Sequence, residues 1–380
     1  MTYRRTIDWE DLGVRAEIAS FAPEGKVEEI HAILHVEPRG ELFEGQLGRL
    51  LQAEGLLLQD DGVRGAAPLM KRYFLSDAAN QQPLMPSDGT CAVSLIQQPC
   101  LDGSKIAVWT YLQKGTEVTA EHGATVASHN GYRHIFRMNL TRPEGGSYEQ
   151  TEAILREYEE TLARFGANLT EHCIRTWFFV RDVDVQYTGM VQARRKRFAE
   201  LGMTEATHYL SSTGIGGAPA DPRAFVQLGA WAVTGLAPGQ QRYLHAPTHL
   251  NPTHEYGVTF ERGTAVDYGD RRHVIISGTA SIDNRGEVVH TGDVVSQTRR
   301  MWENVQALLE EAGSGFGDVM QIVVYLRDTA DYPTVRGMFR ERFPDIPTVF
   351  TWAPVCRPKW LIEMECVAVT PQGNGAYRDL

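Results

Sequence analysis

The chain has 380 residues, 42% of them hydrophobic and 22% charged, with a formal net charge of −11 and no low-complexity tract. That length accommodates two or three domains with substantial cores, and the acidic balance argues against a nucleic-acid partner, whose phosphates need a basic surface. Five cysteines without a CxxC spacing fit a reduced protein rather than a disulfide scaffold, and with no signal-like leader or apolar run of about 18 residues the expectation is a soluble, cytoplasmic protein with no membrane contact.

Residues 1–150 carry strand-like runs such as "CAVSLIQQ" and "KIAVWTYLQ", separated by Gly/Pro/Asp connections at 83–89 and 143–146. From Gln150 an amphipathic helix is predicted, because Ile154, Tyr158, Leu162 and Phe165 fall on one face and Gly166 suits its end. The apolar strand "IRTWFFV" follows, ending at Arg181-Asp182, and then a second helix, "YTGMVQARRKRF". The basic run "ARRKRF" within it, Ala193 to Phe198, reads as a solvated helix face. Residues 211–253 form a Gly/Pro-rich bridge holding one strand, "AFVQLGAWAV". The main boundary is placed near Pro252, dividing the chain into 1–252 and 253–380.

Beyond it come two predicted strands, "HVIISGTASI" and "GEVVH", joined by the turn-rich "DNRG". A helix follows with Met301, Val305, Leu308 and Leu309 on one face and Gly313 at its end. The strand "QIVVYL" leads to Arg327-Asp328, the helix "YPTVRGMFRERF" and a last strand. The two halves repeat: Gln150-Thr151 and Gln297-Thr298 open similar helix–strand–helix segments that reach Arg-Asp 31 and 30 residues later. The expected fold class is therefore α+β, with two β-β-α-β-α-β units in tandem, the N-terminal one divergent and preceded by extra strands. Strands this apolar need cover on both faces, from the other copy or from further chains.

The last strand, "LIEMECVAV", places Glu363 and Glu365 on one side of an apolar element. Two neighbouring acids there repel and cost desolvation unless something uses or pairs them. Either that side faces a pocket, or one or both acids meet arginines at an interface between repeats or subunits.

The second copy, from "HVIISGTASIDNRGEVVHTGDVV" through "VVYLRD" to "IEMECVAV", resembles the Rid (YjgF) family over about 255–371. The resemblance implies a trimeric α+β fold and hydrolysis of enamines or imines. Active members carry an arginine two residues after the proline that opens the penultimate strand; here Pro347 is followed by Val349 at that position, which weakens the deaminase reading. A narrower resemblance, over roughly 150–370, is to the chorismatases, in which a Rid-like C-terminal half follows a degenerate Rid-like half. It rests on Arg175-Thr176-Trp177, a Thr213-Gly214-Ile215 loop, "YGVTFERGT" from Tyr256, Ile276-Ser277-Gly278-Thr279-Ala280, and Cys356 seven residues before Glu363. Residues before 150, including "KRYFLSDAAN" and "SHNGYRH", match nothing in that group and could mark a sister group with another substrate.

The resemblance implies cofactor-independent cleavage of the enol ether of chorismate to a hydroxybenzoate and pyruvate, in secondary metabolism, with a homotrimer as the default assembly and a pseudo-trimer as its variant. Protonating a poorly basic methylene carbon needs a carboxylic acid that is still protonated near neutral pH, a role suited to Glu363. Cys356, beside Arg357, is either a thiol whose pKa the cation lowers or a buried small hydrophobe; paired with Gly278, it is the resemblance's mark of 3-hydroxybenzoate formation. A dianionic carboxylate substrate calls for arginines, with Arg175, Arg262 and Arg327 as candidates. The alternatives are that Arg327 pairs with an acid, that Arg175 packs on Trp177, and that Tyr256 is a strand aromatic rather than a substrate-bonding group. "STGIGG" lacks the context of a dinucleotide loop, and the 12 histidines show no HExxH or HxH spacing, so neither cofactor nor metal is expected. Two other readings stay open: a Rid-like hydrolase of another enamine, imine or enol ether, and a non-enzymatic small-molecule binder.

Overall fold

The computed structural model describes residues 2–87 and 89–380, with the side chain of Tyr256 outside the description. It contains three six-stranded mixed sheets. The first is built from β1 (Thr2–Trp9), β2 (Val14–Phe21), β3 (Glu28–Val36), β4 (Ala67–Leu75), β5 (Ala92–Gln97) and β6 (Ile106–Lys114), with α1 (Phe43–Gln59) and the short α2 (Ala78–Gln81) between strands. The second holds β7 (Glu117–Glu121), β8 (Ala124–His129), β9 (Tyr132–Thr141), β10 (Cys173–Val180), β11 (Ser212–Gly216) and β12 (Val226–Thr234), with α3 (Ser147–Arg164), α4 (Leu169–His172) and α5 (Val183–Glu200). The third holds β13 (Gln241–Leu244), β14 (Gly263–Asp267), β15 (Arg272–Ala280), β16 (Val319–Leu326), β17 (Thr348–Trp352) and β18 (Ile362–Thr370), with α6 (Val294–Glu311) and α7 (Tyr332–Arg342).

All three sheets share one strand order. Counting strands within a unit, it is first, second, third, sixth, fourth, fifth, with the fourth and fifth parallel. A helix follows the third strand in each unit: α1, α3 and α6. The predicted faces of α3 and α6 are buried as expected, through Ile154, Tyr158 and Leu162 in one and Met301, Val305, Leu308 and Leu309 in the other. Asp293 caps α6 by accepting the Ser296 N–H at 3.0 Å. Gly166 and Gly313, both at φ +69°, take the left-handed turn that ends each helix.

The fold class is α+β with Rid-like units, as expected, but the units number three. The first 114 residues, expected as extra strands, complete a sheet of their own. "GEVVH" forms no strand and makes one isolated bridge, Ile282 with Val288. The physical reason is that both edges of β15 are occupied, by β14 and β18, so no ladder is open to it. Each unit therefore runs β-β-β-α-β-α-β-β, with two strands ahead of the long third one. Residues 213–215, expected as a loop, lie in β11.

The helix-free faces of the three sheets meet at a common centre, which answers the need for cover within one chain. His31, Trp109 and Tyr111 of the first unit, His134 and Trp231 of the second and Tyr268 and His273 of the third are all buried there. Trp109 and Trp231 each donate an indole N–H to the histidine of their own sheet, at 3.1 and 3.2 Å. Glu29 accepts from Arg271 at 2.7 Å and pairs with His273 at 2.8 Å, tying the first unit to the third. Among the described residues no helix is long and apolar enough to cross a membrane.

Candidate active site

Strand β18 runs between β15 and β16, so its side chains leave the sheet where the third unit meets its neighbours. Glu363 and Glu365 project to the same side, and their fates then divide. Glu365 is 1% exposed and receives Arg175 at 2.7 Å, Arg72 at 3.1 Å, the Trp177 indole N–H at 2.8 Å and the Thr213 hydroxyl at 2.6 Å. Its partners come from β4, β10 and β11, so all three units converge on one carboxylate. Burial alone would raise its pKa, but Arg175, Arg72 and Thr213 outweigh that and hold it below the usual carboxylate range.

Glu363 is also buried, 5% exposed, and among the described residues no hydrogen bond or ion pair ends on it. Burial first, and the adjacent Glu365 charge second, push its pKa up to about 8, while Arg175 and Arg262 pull the other way without cancelling them. The result is a neutral carboxylic acid at physiological pH. Its Oε1 occupies the space that a β-carbon on Gly278 would need, so the glycine makes room for the carboxyl. Gly278 sits in a register shift of the β15–β18 ladder and donates its N–H to Thr213 Oγ1 at 2.8 Å. Thr213 thus links the Gly278 backbone to Glu365.

Glu363 opens into a narrow cleft between the second and third units. The third unit contributes Phe260, Arg262, Gly278, Cys356, Arg357 and Trp360; the second contributes Tyr187 and Arg194 from α5, and Ser212 and Gly214 from β11. Trp360 is anchored by its N–H to the Ser281 carbonyl at 2.9 Å, and Arg357 lies over its ring at 5.6 Å. Arg262 is buried and donates to the Asn251 carbonyl and side chain at 3.0 and 3.1 Å.

Gly278, Arg262, Cys356 and Glu363 line one cleft, and three expectations change. Arg175 stands behind the cleft, on Glu365, and acts on Glu363 only through its charge. Arg327 does not line the cleft; its fork closes on Asp184 at 2.6 and 3.0 Å and ties the third unit to α5. Cys356 is not activated by Arg357: burial and the neighbouring Glu363 push its thiol up to about 12, and the cation is outweighed. Tyr256 falls outside the described residues in its side chain.

Arg194 was hidden in the basic run. It is 1% exposed and donates to Thr259 at 3.2 Å and Ser212 at 3.3 Å. Lys196 and Arg197 of the same run point outward to Glu152 and Glu159. The available signal was spacing, since Met190, Arg194 and Phe198 fall at i, i+4 and i+8 on the buried face of α5. Among the described residues no group of three or more His, Cys, Asp or Glu side chains is placed to hold a metal ion.

The chain resembles known proteins in sequence and in fold. The family model for endoribonuclease L-PSP matches residues 263–370. The 3-aminoacrylate deaminase RutC of Acinetobacter baylyi is 36% identical over 97 residues, spanning 25% of this chain and 77% of that protein. The chain belongs to the Rid (YjgF) family. Over a longer stretch it is similar to the 3-hydroxybenzoate synthase of Streptomyces hygroscopicus, 27% identical across 284 residues that make up 67% of this chain and 80% of that protein. A crystal structure of a chorismatase superposes with a TM-score of 0.65 over 97% of this chain and 98% of that one, at 18% identity, so the three-unit architecture as a whole is shared.

Proposed function

We propose that this protein is a chorismatase-type enzyme, which cleaves the enol ether of chorismate to release pyruvate and a hydroxybenzoate, and needs no cofactor to do so. The observation that carries the reading is the neutral Glu363 carboxyl, buried and, among the described residues, without a hydrogen-bond partner, beside a cleft lined with arginines. Glu363 gives its proton to the methylene carbon of the enolpyruvyl group. The carbon bearing the ether oxygen becomes an oxocarbenium centre, and the carboxylate left behind faces that positive charge at short range. Water adds at this carbon and returns a proton to Glu363. Collapse of the hemiketal breaks the bond between that carbon and the ether oxygen, which frees pyruvate and leaves the oxygen on the ring as a hydroxyl. Loss of the neighbouring ring hydroxyl as water, with a ring proton, gives the hydroxybenzoate with no net consumption of water.

Arg194, Arg262 and Arg357 supply the positive charge that a dicarboxylate requires, and Trp360 and Phe260 give its ring an apolar wall. The ionised Glu365, fixed by Arg72 and Arg175, keeps Glu363 protonated and so acts as a positioning group. The 3-hydroxybenzoate outcome is the one supported by Gly278 with Cys356 and by the relative from Streptomyces.

The test is pyruvate release from chorismate by the purified chain, read with lactate dehydrogenase, with the aromatic product identified by chromatography. Pyruvate and a hydroxybenzoate in equal amounts, both lost in Glu363→Gln, are expected. A folded chain that releases no pyruvate removes the reading. Turnover of 2-aminoacrylate that survives Glu363→Gln would install a Rid-type deaminase in its place, and thermal stabilisation by chorismate without product would mark a binding protein.

A further inference from the structure

The acid-bearing cleft lies where α5 and β11 of the second unit face β15 and β18 of the third. Part of this arrangement recurs elsewhere. In the third unit, α7 and β17 hold the places of α5 and β11, and they face β2 and β3 of the first unit. A second cleft, roomier than the first, opens there. The remaining junction, β5 against β9, is knitted shut by bonds such as Leu95 N–H to Asn139 at 3.3 Å and Gln227 to Ser94 at 3.1 Å.

One wall of the second cleft is aromatic. Phe350 packs edge-on against Tyr332 and Phe339, with ring centres 5.7 and 5.3 Å apart, and Ile346 and Val349 continue the apolar surface. The facing wall carries Arg15, Glu17, His35 and Asp102, and Arg336 and Arg340 stand on α7 at the mouth. Among the described residues neither Arg336 nor Arg340 makes an ion pair. His35 lies between Glu17 at 3.6 Å and Asp102 at 3.8 Å, and its buried Nε2 has no hydrogen-bond partner. Burial disfavours its charge, but the two carboxylates outweigh burial and raise the imidazole pKa to about 9. The lining thus holds four cations against two carboxylates, a positive basin in a chain of formal net charge −11.

Catalysis of the kind proposed above is absent by construction. Glu363 pairs with Tyr325, the residue before the end of β16; the matching pair in the first unit is Phe74 with Ala107, so an alanine stands where the equivalent of Glu363 would be. Cations at the rim and stacked aromatics within suit an anion on an aromatic body. We propose that the cleft between the third and first units is a second small-molecule site, which binds an aromatic carboxylate with its ring against Phe350 and Tyr332 and its carboxylate toward Arg336, Arg340 and His35.

The experiment titrates benzoate into the full chain by calorimetry, and it does not depend on whether chorismate is turned over. Binding is expected to weaken about tenfold or more in Arg336→Glu/Arg340→Glu and to be lost in Ile346→Trp, which fills the apolar end without changing charge. Both variants should keep the wild-type circular dichroism and melting temperature, and benzamide, which lacks the charge, should bind about tenfold more weakly than benzoate. Arg357→Glu, in the acid-bearing cleft, should leave this binding in place. The proposal is overturned if benzoate fails to bind the wild type up to about 10 mM, if it binds Arg336→Glu/Arg340→Glu unchanged, or if Arg357→Glu alone abolishes its binding.

Discussion

Replacing Glu363 by glutamine keeps the shape of the side chain and removes its ionisation, and the consequence for stability has a definite sign. In the unfolded chain the carboxyl takes its ordinary pKa of 4.5, against about 8 in the folded protein. Below the lower value the group is protonated in both states and has no effect on folding. Between the two values the folded protein holds a proton that the unfolded chain releases, so stability from this group falls by about 1.4 kcal/mol per pH unit. Above pH 8 the loss is complete and totals on the order of 5 kcal/mol. Glutamine never incurs it. Denaturant unfolding of wild type and Glu363→Gln at intervals from pH 5 to 9 should therefore give curves that separate as pH rises, with the variant the more stable, and then run parallel above about 8. Other titrating groups are common to both proteins and cancel in the difference. Unfolding the wild type at pH 7 should also release one more proton than unfolding the variant. A difference that stays flat with pH, or a variant less stable at high pH, would refute the assignment of Glu363 as a buried neutral acid. The same substitution should lower pyruvate release by about a hundredfold or more.

If Glu363 acts as the proton donor, the wild-type kcat should fall through a single ionisation near pH 8. In Glu365→Gln the neighbouring charge that helps raise Glu363 is gone, so that alkaline limb should move to lower pH; the stranded Arg72 and Arg175 should cost about 3–5 kcal/mol of stability in urea unfolding. Gly278→Ala places a methyl group on the Glu363 carboxyl and against Thr213, and kcat should drop about tenfold or more while the protein stays folded; wild-type turnover would mean the carboxyl works from another position. Because the Cys356 thiol is held up at about 12, iodoacetamide should leave it unmodified at pH 8, and Cys356→Ala should keep pyruvate release within about tenfold of wild type; a larger loss would make the thiol a reacting group. The chain buries all three inner sheet faces by itself and is expected to sediment at its own mass of 42.4 kDa; a species of three times that mass would show that outer surfaces pair as well.

The second and third units were legible because their helices are long and periodic and their strands are unbroken apolar runs. Gln150 and Gln297 mark equivalent helix starts, and the apolar faces of α3 and α6 are buried as their spacing demands. The first unit was not, because its second helix has shrunk to the four residues of α2, which left no helix–strand–helix signature to align with the others. Glu363 could be found because an acid in an apolar strand is expensive unless it is used. The choice of Glu363 over Glu365 rested on the family spacing from Cys356, because the strand alone does not show it: that depends on Arg72, 293 residues away, reaching the same point as Arg175. Arg327 failed as a candidate for a related reason: strand position says where a guanidinium begins, and only the packing of α5 says that Asp184 meets it. Arg194 shows the converse, since a basic run suggested solvent while the spacing of Met190, Arg194 and Phe198 already placed one of its members inside.

Linking three like units in one chain changes what evolution can do with the seams between them. In a ring of identical subunits a substitution appears at every junction, so each junction keeps the same chemistry. Here each seam has its own residues. The β5–β9 seam is sealed by side-chain bonds, the seam at Glu363 keeps an acid, unpaired among the described residues, with arginines around it, and the seam at His35 keeps cations and aromatics, its two carboxylates set against the histidine. The network at Glu365 depends on this asymmetry. It needs an arginine from the first unit, an arginine and tryptophan from the second and a glutamate from the third, each present once, and symmetric copies would bring like charges together at the same point. A single raised carboxyl therefore follows from the fusion itself: burial between two units, reinforced by one ionised glutamate that cations from two other units hold, lets the neighbour two residues away remain an acid.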